Sequence, residues 1–202
     1  MTSTNPAARP SSSDDNAFKA ELVTLIPHLR AFARTLTGDP TSADDLAQEA
    51  MMKAWDARAS YQMGTNMKAW TFMILRNQFY SEKRRSWRQT QLDQEAAERT
   101  LIAVDDPEAP VALDELRQAL KSLPEEQREA LILVGAGGFA YEEAAEICQC
   151  AVGTVKSRVS RARKALQATL ERGGYALDGQ SAGDAMRSIL ADADRLSGAG
   201  RK

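Results

Sequence analysis

The stretch from Asn66 to Arg88 constrains the fold most, because it predicts one long helix whose two halves differ in character. Residues 67–75 are apolar on nearly every side, which is typical of a helix packed between neighbours. Beyond them, basic and aromatic residues recur at spacings of four, four and three and so share one face: Arg76, Tyr80, Arg84 and Trp87. The sequence therefore predicts a helix that is core at its start and surface at its end.

The mixed face of this helix allows two interpretations. Cations hold phosphates and aromatic rings stack on unpaired bases, so a solvent-facing stripe of both suits a nucleic-acid strand with exposed bases. The alternative is a helix end whose rings complete the core and whose arginines are only solvated. The stripe by itself leaves both open.

Charge is unevenly distributed along the chain. Its net charge of −2 over 202 residues argues against a uniformly basic coat around nucleic acid. Residues 76–88 and 156–172 are nevertheless basic, whereas residues 93–115 are acidic. Blocks of opposite sign predict distinct surfaces for distinct partners, and together with the length they favour two small helical domains over one.

Several classes of protein are excluded by the sequence. No apolar run approaches the roughly 20 residues that span a bilayer, and residues 1–15 lack the apolar core of a signal peptide, so we expect a cytoplasmic protein with no membrane contact. Cys148, Cys150 and His28 are too few for a zinc site, and the two cysteines are expected to be buried structural thiols. No catalytic triad, metal cluster or phosphate loop is present, so neither an enzyme nor a bound cofactor is expected.

Three helices are expected before the long one. Apolar residues recur at helical spacing until Pro27, which opens a second helix that ends at Gly38. A third helix is predicted to begin at a capping box formed by Ser42 and Asp45. Its inner face is small and apolar, whereas its outer face is either ordinary solvated surface or a docking site for a basic partner, and carries Asp45, Gln48, Glu49 and Met52.

The loop before the long helix spans residues 60–66, with a turn at Gly64 and an N-cap at Asn66. Backbone amides at a helix N-terminus, together with Lys68, favour an anion such as phosphate. Tyr61 and Met63 would also suit the wall of a pocket for an unstacked base. A simple connector is the alternative.

The second half of the chain predicts a helix-turn-helix. A helix through Leu116 and Leu120 precedes one that opens with Pro124 and acidic residues and ends at a run of glycines. A short helix at 141–148, a tight turn at 149–151 and a basic amphipathic helix at 152–170 then follow. That last helix has side chains able to read base edges and basic neighbours able to fix its register on phosphates.

Six motifs follow one another in order along the chain: Asp44-Asp45-Leu46-Ala47-Gln48-Glu49, Ala69-Trp70-Thr71-Phe72, Leu75-Arg76-Asn77, Leu123-Pro124-Glu125-Glu126-Gln127-Arg128, Tyr141-Glu142-Glu143-Ala144-Ala145 and Val152-Gly153-Thr154-Val155-Lys156-Ser157-Arg158. This ordered set, spanning about residues 16–171, resembles the bacterial sigma factors of the extracytoplasmic-function (ECF) type, within the sigma-70 family. The segments 62–70 and 79–85 resemble more narrowly the alphaproteobacterial general-stress-response (EcfG-type) group.

The resemblance implies an all-α protein of two small helical domains joined by a flexible acidic linker. It implies a disordered N-terminus (1–15), sigma region 2 (16–90), a linker (91–111), sigma region 4 with the helix-turn-helix (112–172) and a tail (173–202). The tail is expected either to form a short helix against a partner or itself, or to be disordered.

The resemblance also implies roles for individual residues. Contact with the beta-prime subunit of core RNA polymerase falls to Asp44, Asp45, Gln48 and Glu49. Capture of a flipped base of the minus-ten element, and grip on the promoter backbone, fall to Tyr61, Gly64, Thr65, Asn66, Lys68, Asn77, Arg84 and Arg85. Recognition of the minus-thirty-five element in the major groove falls to Thr154, Lys156, Ser157, Ser160 and Arg161.

The expected partners are therefore core RNA polymerase through its beta-prime and beta subunits, promoter DNA and an inhibitory anti-sigma factor. Two other functions fit parts of the sequence. An anti-anti-sigma protein that mimics a sigma factor would be an interaction protein without DNA contact. A conventional helix-turn-helix regulator would use residues 152–170 but would leave the first domain without a role.

Overall fold

The computed structural model describes residues 12–92, 116 and 118–172, and these residues form helices and turns without a strand. We refer to residues 12–92 as the first half and to residues 116–172 as the second half. The helices are α1 (Ser12–Thr24), α2 (Ile26–Thr37), α3 (Pro40–Asp56), a 3-10 turn (Arg58–Ser60), α4 (Met67–Leu92), α5 (Glu125–Gly135), α6 (Tyr141–Cys148) and α7 (Val152–Arg172). The all-α prediction is confirmed for this part of the chain.

The chain turns sharply between α2 and α3. Gly38 ends α2 in the left-handed conformation at φ 74°. The predicted capping box at Ser42 is wrong, because α3 begins earlier, with Pro40 in its first turn and Asp39 as N-cap. The Ser42 backbone N–H donates to the Asp39 carboxylate at 2.7 Å, and this bond lowers the pKa of Asp39.

Helix α4 has the predicted change of character. Its N-cap is Asn66, whose side-chain oxygen accepts from the Ala69 backbone N–H at 2.9 Å. Met67, Phe72 and Leu75 are at most 3% exposed, so the first part of α4 is core. The helix continues past the predicted end at Arg88 as far as Leu92.

An aromatic cluster closes the first half where α1, the end of α3, the 3-10 turn and α4 meet. The Phe18 ring lies 6.1 Å from Trp55, 5.6 Å from Tyr61 and 6.1 Å from Trp70, measured between centroids. Tyr61 and Trp70 are themselves 5.1 Å apart. These off-parallel contacts are favourable for aromatic pairs and hold the loop 60–66 against the start of α4.

Helices α5, α6 and α7 pack around a second group of buried apolar side chains. Leu133, Ile147, Val155, Val159 and Leu166 are at most 1% exposed. Glycine is required at position 137, where an added Cβ would lie 2.7 Å from the Leu133 carbonyl oxygen and 2.8 Å from the Phe139 ring. The predicted helix-turn-helix is present as α6, the turn at 149–151 and α7.

The turn of the helix-turn-helix contains Gln149 at φ 52° and ψ 47°, where a side chain costs about 1 kcal/mol or more. We expect Gln149→Gly to leave the free energy of unfolding unchanged or raise it by up to about 1 kcal/mol, because glycine enters this conformation without strain. Gln149→Val should lower it by about 1 to 2 kcal/mol, since a branched Cβ fits there poorly.

Urea denaturation followed by circular dichroism measures both changes. A lower stability for Gln149→Gly than for Gln149→Val would contradict the strain assigned to this turn.

The two halves touch through α4. The Phe72 and Phe139 rings meet edge to face with centroids 5.0 Å apart, and α2 also lies against α5. Residues 118–121 are helical and Leu116 is buried, in agreement with the helix predicted there. The prediction of a disordered N-terminus is wrong for residues 12–15, which form the start of α1. The rest of that segment, residues 93–111 of the acidic linker and the C-terminal tail lie outside the described residues.

The remaining sequence expectations concern membranes, metals and thiols. Within the described ranges, no helix is long and apolar enough to cross a bilayer, and no group of His, Cys, Asp and Glu side chains is arranged to hold a metal. Both cysteines are free, with Cys148 buried and Cys150 partly exposed. Burial raises the pKa of the Cys148 thiol to about 12, so this thiol stays protonated at neutral pH.

Candidate nucleic-acid interface

The basic face of α4 is partly covered by α5. The Arg76 Nε donates to a Glu129 carboxylate oxygen at 2.6 Å, and the Arg76 side chain is 13% exposed against 0% for Glu129. Burial raises the pKa of Glu129, while Arg76 acts in the opposite direction by pairing with its charge. The pair is therefore a buried ion pair between the two halves.

Tyr80 completes this contact. Its hydroxyl donates to the second carboxylate oxygen of Glu129 at 3.2 Å, and the Arg76 guanidinium lies 4.6 Å from the Tyr80 ring centroid. Burial raises the pKa of Tyr80, and Glu129 adds to that shift. Lys83, one turn further along α4, pairs with Glu125 at the start of α5.

Of the two interpretations left open for the α4 stripe, the solvent-facing one therefore does not apply to its first two positions. Arg76 and Tyr80 are half-buried because α5 lies against them, whereas Arg84, Arg85 and Trp87 are exposed. Trp87 is 63% exposed. The solvent-facing part of the stripe is confined to the last third of the helix.

The loop before α4 is also drawn toward the second half. The Asn66 side-chain N–H donates to a Glu143 carboxylate oxygen at 2.6 Å, and the other oxygen of Glu143 accepts from the Ala140 backbone N–H at 2.8 Å. Lys68 donates to the Gly137 carbonyl at 2.7 Å and lies 5.1 Å from the Phe139 ring centroid. Burial lowers the pKa of the Lys68 amine, although Glu143 opposes that shift.

Three further loop residues, Tyr61, Gly64 and Thr65, have local roles in this arrangement. The Tyr61 ring is buried and its hydroxyl donates to the Thr65 carbonyl at 2.7 Å. The Thr65 hydroxyl in turn donates to the Gln62 carbonyl at 2.7 Å, and Gly64 takes φ 86° at the turn. Tyr61 thus braces the loop from inside the core, while Gly64, Thr65 and Asn66 form its exposed surface.

A polar cavity of about 450 Å³ remains between α4 and the second half. It is lined by Arg76, Asn77, Tyr80, Arg84, Glu126 and Gln149. Asn77 is exposed and offers an amide that can both donate and accept hydrogen bonds. The cavity therefore brings Asn77 and Arg84, both predicted to bind DNA, to one place.

Helix α7 presents an exposed basic face opposite its buried stripe. Lys156, Ser160 and Arg161 are exposed, and Lys156 lies 5.6 Å from the Tyr141 ring centroid. Thr154 and Ser157 are partly buried, with the Ser157 hydroxyl donating to the Thr154 carbonyl at 2.9 Å. Helix α7 is thus free on the side that a helix-turn-helix inserts into a groove of DNA.

The predicted acidic face of α3 lies at the surface of the first half. Asp45 and Gln48 are exposed, Asp44 pairs with Arg30 at 3.3 Å and Glu49 pairs with Lys53 at 3.4 Å. Met52 is 59% exposed and borders an apolar groove of about 840 Å³ between α1 and α3. Exposed carboxylates beside an open apolar groove are suited to a basic amphipathic helix.

Sequence reasoning missed Glu129 and Glu143 as partners of the α4 face. Glu129 lies within α5, directly before the buried run Ala130-Leu131-Ile132-Leu133. A charged residue at such an inward position is a signal of a cationic partner. The local sequence pattern does not identify that partner, because Arg76 lies 53 residues earlier in the chain.

Comparison with known proteins follows the same division of the chain. Residues 22–89 match the model of Sigma-70 region 2, and residues 113–166 match that of Sigma-70, region 4. The chain is 46% identical over 155 residues to the ECF RNA polymerase sigma factor EcfG of Rhodopseudomonas palustris, covering 77% of this chain and 86% of that protein. It is 32% identical over 145 residues to the RNA polymerase sigma-H factor of Pseudomonas aeruginosa, covering 66% and 75%.

A solved structure is similar in both sequence and fold. It is the sigma factor RpoE of Bartonella quintana in complex with the anti-sigma factor NepR, at 46% identity and a TM-score of 0.70. The match covers 77% of this chain and 98% of that one.

Proposed function

The chain belongs to the ECF group of the sigma-70 family of RNA polymerase sigma factors, and we propose that it directs core polymerase to promoters of general stress-response genes. The observation that carries the proposal is that one chain holds two different DNA-binding surfaces. The first is the exposed basic face of the helix-turn-helix, and the second is the polar cavity beside Asn77 and Arg84 on α4. The first suits duplex DNA and the second suits a separated strand.

We assign recognition of the minus-thirty-five element to α7. Lys156, Ser160 and Arg161 would reach base edges and phosphates of the major groove, with Thr154 and Ser157 at the start of the helix. Their exposure and their position opposite the buried stripe support this assignment. The supporting helix α6 would cross the DNA backbone, as the first helix of such a motif does.

We assign capture of the minus-ten element to the loop 61–68 and to α4. Asn77 would hydrogen-bond an unpaired base, while Arg84 and Arg85 would hold the adjacent phosphates. Gly64, Thr65, Asn66 and Lys68 would form the rim of the base pocket, and Tyr61 would brace it from the core.

The energetic role of the first half is to bind melted DNA better than closed DNA. Each base step that opens loses roughly 1 to 2 kcal/mol of stacking, so opening has to be offset by contacts made only with separated bases. A factor shifts that equilibrium only by its difference in affinity for the two states. The chain itself would catalyse no reaction, and phosphodiester synthesis would stay with the polymerase.

We place the contact with the beta-prime subunit on Asp44, Asp45, Gln48 and Glu49 of α3. Asp45, Gln48 and Glu49 are exposed and Asp44 is partly buried. Asp44 and Glu49 pair with Arg30 and Lys53 at the surface, where ion pairs exchange partners at little cost. An anti-sigma factor is expected as a further partner, because the similar structure holds one. Free activity would otherwise be continuous.

Asn77→Ala is expected to reduce promoter-specific transcript about tenfold or more, through loss of a base contact made only in the open complex. Asn77 is exposed on α4, so the melting temperature should remain that of wild type. Permanganate footprinting of unpaired thymines would locate the loss at the opening step.

Gln118→Ala is the matched control, since Gln118 is an exposed helical amide and no DNA or polymerase contact is assigned to it. A variant Asn77→Ala that still opens promoters at the wild-type rate would remove Asn77 from the proposed site.

The proposed function is tested by run-off transcription with core RNA polymerase and a panel of promoter fragments. We expect specific transcripts that appear only when both the chain and the core enzyme are present. A chain that binds duplex DNA without core polymerase and yields no specific transcript would instead be a conventional regulator. A chain that binds neither core polymerase nor promoter would be an interaction protein.

A further inference from the structure

The apolar groove between α1 and α3 has no role in the proposed function, and it has a volume of about 840 Å³. In the part of the chain that the structure describes, four large apolar side chains are exposed, and two of them lie at this groove. Val23 on α1 is 53% exposed, and Met52 on α3 is 59% exposed. The other apolar residues that line the groove are Leu22, Ile26, Met51 and Trp55. Apolar side chains from both walls are thus left together in water, which is typical of a docking surface.

The two walls of the groove carry charges of opposite sign. Lys19 lies one turn before Val23 on α1, so the cation and the exposed apolar side chain share one face of that helix. Asp56 lies one turn after Met52 on α3 in the same way. Asp15 also borders the groove but already forms an ion pair. A segment that fits this groove therefore has an apolar face with a cation on one edge and a carboxylate on the other.

The C-terminal tail, which lies outside the described residues, contains a sequence of this character. Asp184 and Gly198 are typical of the start and the end of a helix, and apolar residues between them recur on one helical face. These apolar residues are Met186, Ile189, Leu190, Ala193 and Leu196. Successive residues of a helix are about 100° apart, so Arg187 and Asp192 flank the apolar face on opposite edges.

The connection between α7 and this part of the tail is long enough to reach the groove. Residues 173–183 span up to about 36 Å when extended, whereas a folded chain as long as the described part has a radius of gyration of about 14 Å. A segment tethered in this way is present at an effective concentration of about 1 mM. A second copy of the chain reaches the groove only from solution, at concentrations far below that value.

From these observations we propose that the groove between α1 and α3 is the docking site of residues 184–196 of the same chain. The apolar face of the segment covers Val23 and Met52. Its two flanking charges lie beside the opposite charges on the groove walls, which fixes the direction in which the segment lies. The docked segment holds α1 against α3 and shields the groove from other proteins.

The test measures how accessible the groove is in the full chain. The probe is a fluorescein-labelled peptide of residues 181–198, titrated with wild-type chain and with full-length variants and followed by fluorescence anisotropy. Ile189→Asp places a charge on the apolar face and so releases the tethered segment from the groove. Ser188→Asp is the matched control, because it adds the same charge on the opposite face of the predicted helix.

We expect the Ile189→Asp chain to bind the peptide at least about tenfold more tightly than wild type does. At an effective concentration of about 1 mM, a tethered segment with a Kd of about 0.1 mM occupies about nine-tenths of the grooves. Only the remaining tenth is then open to the peptide in wild type. The Ser188→Asp chain should bind the peptide as wild type does, and neither substitution alters a residue of the described helices.

A second pair of variants, made in the Ile189→Asp chain, locates the bound peptide. Adding Met52→Asp should weaken peptide binding at least about tenfold, and the chain should stay folded because Met52 is exposed. Adding Trp87→Asp is the matched control, since Trp87 is a large exposed apolar residue that does not line the groove. Peptide affinity should be unchanged by that control.

Equal binding of the peptide to the wild-type and Ile189→Asp chains would overturn the proposal, because the groove would then be open in the free chain. Absence of binding to every chain, or binding that Met52→Asp leaves unchanged, would overturn it as well. Sedimentation tests for a second copy, and a dimer that Ile189→Asp dissociates would place the segment in the groove of another chain. The measurements use neither polymerase nor DNA, so their outcome is independent of the proposed function.

Discussion

Replacing Trp70 with aspartate is expected to unfold the first half of the chain and so abolish promoter-specific transcription. The Trp70 ring packs edge to face on Phe18 at 6.1 Å and lies 5.1 Å from Tyr61. Truncating a packed tryptophan costs about 3 to 5 kcal/mol, and a carboxylate placed beside the Phe18 and Tyr61 rings adds the cost of an unpaired charge at a partly buried site. A domain with a stability of about 5 to 15 kcal/mol loses most or all of it.

Trp87→Asp is the control for this substitution. Trp87 lies on the same helix and is 63% exposed, so the same chemical change there should alter the free energy of unfolding by at most about 0.5 kcal/mol. Thermal melts followed by circular dichroism compare the two variants directly. Equal melting temperatures for Trp70→Asp and wild type would mean that the aromatic cluster does not hold the first half together.

The fold was largely predictable where local rules agree with one another. Helix α6, the turn and α7 were placed to within a residue or two, because small residues, a short connection and an inward stripe of Val155, Val159 and Leu166 all indicate the same structure. The start of α3 was misplaced for the opposite reason. Two cap signals compete there, and Asp39 before Pro40 fits the helix start better than Ser42 does.

The candidate site was only partly predictable. The sequence identified Arg76 and Tyr80 as members of one face, but it did not indicate that Glu129 covers them. Helical spacing assigns residues to faces within one element, whereas the partner of a face depends on how distant elements pack. The contacts of Glu129 with Arg76 and Tyr80 were therefore inaccessible to sequence reasoning, although an inward glutamate in α5 signalled that some buried cation exists.

Arg161→Ala is expected to weaken binding to the minus-thirty-five element by about 1 to 3 kcal/mol, or roughly 5- to 150-fold. Arg161 is exposed on α7, and a guanidinium that donates twice to a guanine edge has no substitute in alanine. The measurement is quantitative footprinting by the polymerase complex at fixed salt. Arg161→Ala should weaken binding less on a promoter in which the contacted base has been replaced, because that promoter already lacks the base contact.

Arg163→Ala separates base reading from general electrostatics. Successive residues of a helix are about 100° apart, so Arg163 lies on the other side of α7 from Arg161. Its removal takes away the same charge and should weaken every promoter by a similar small factor, with a shallower dependence on salt. If Arg161→Ala also weakens binding to all promoters equally, Arg161 contacts phosphate rather than a base. The sequence preference of the second half then comes from other residues on the exposed face of α7, and Lys156 and Ser160 are the next to replace.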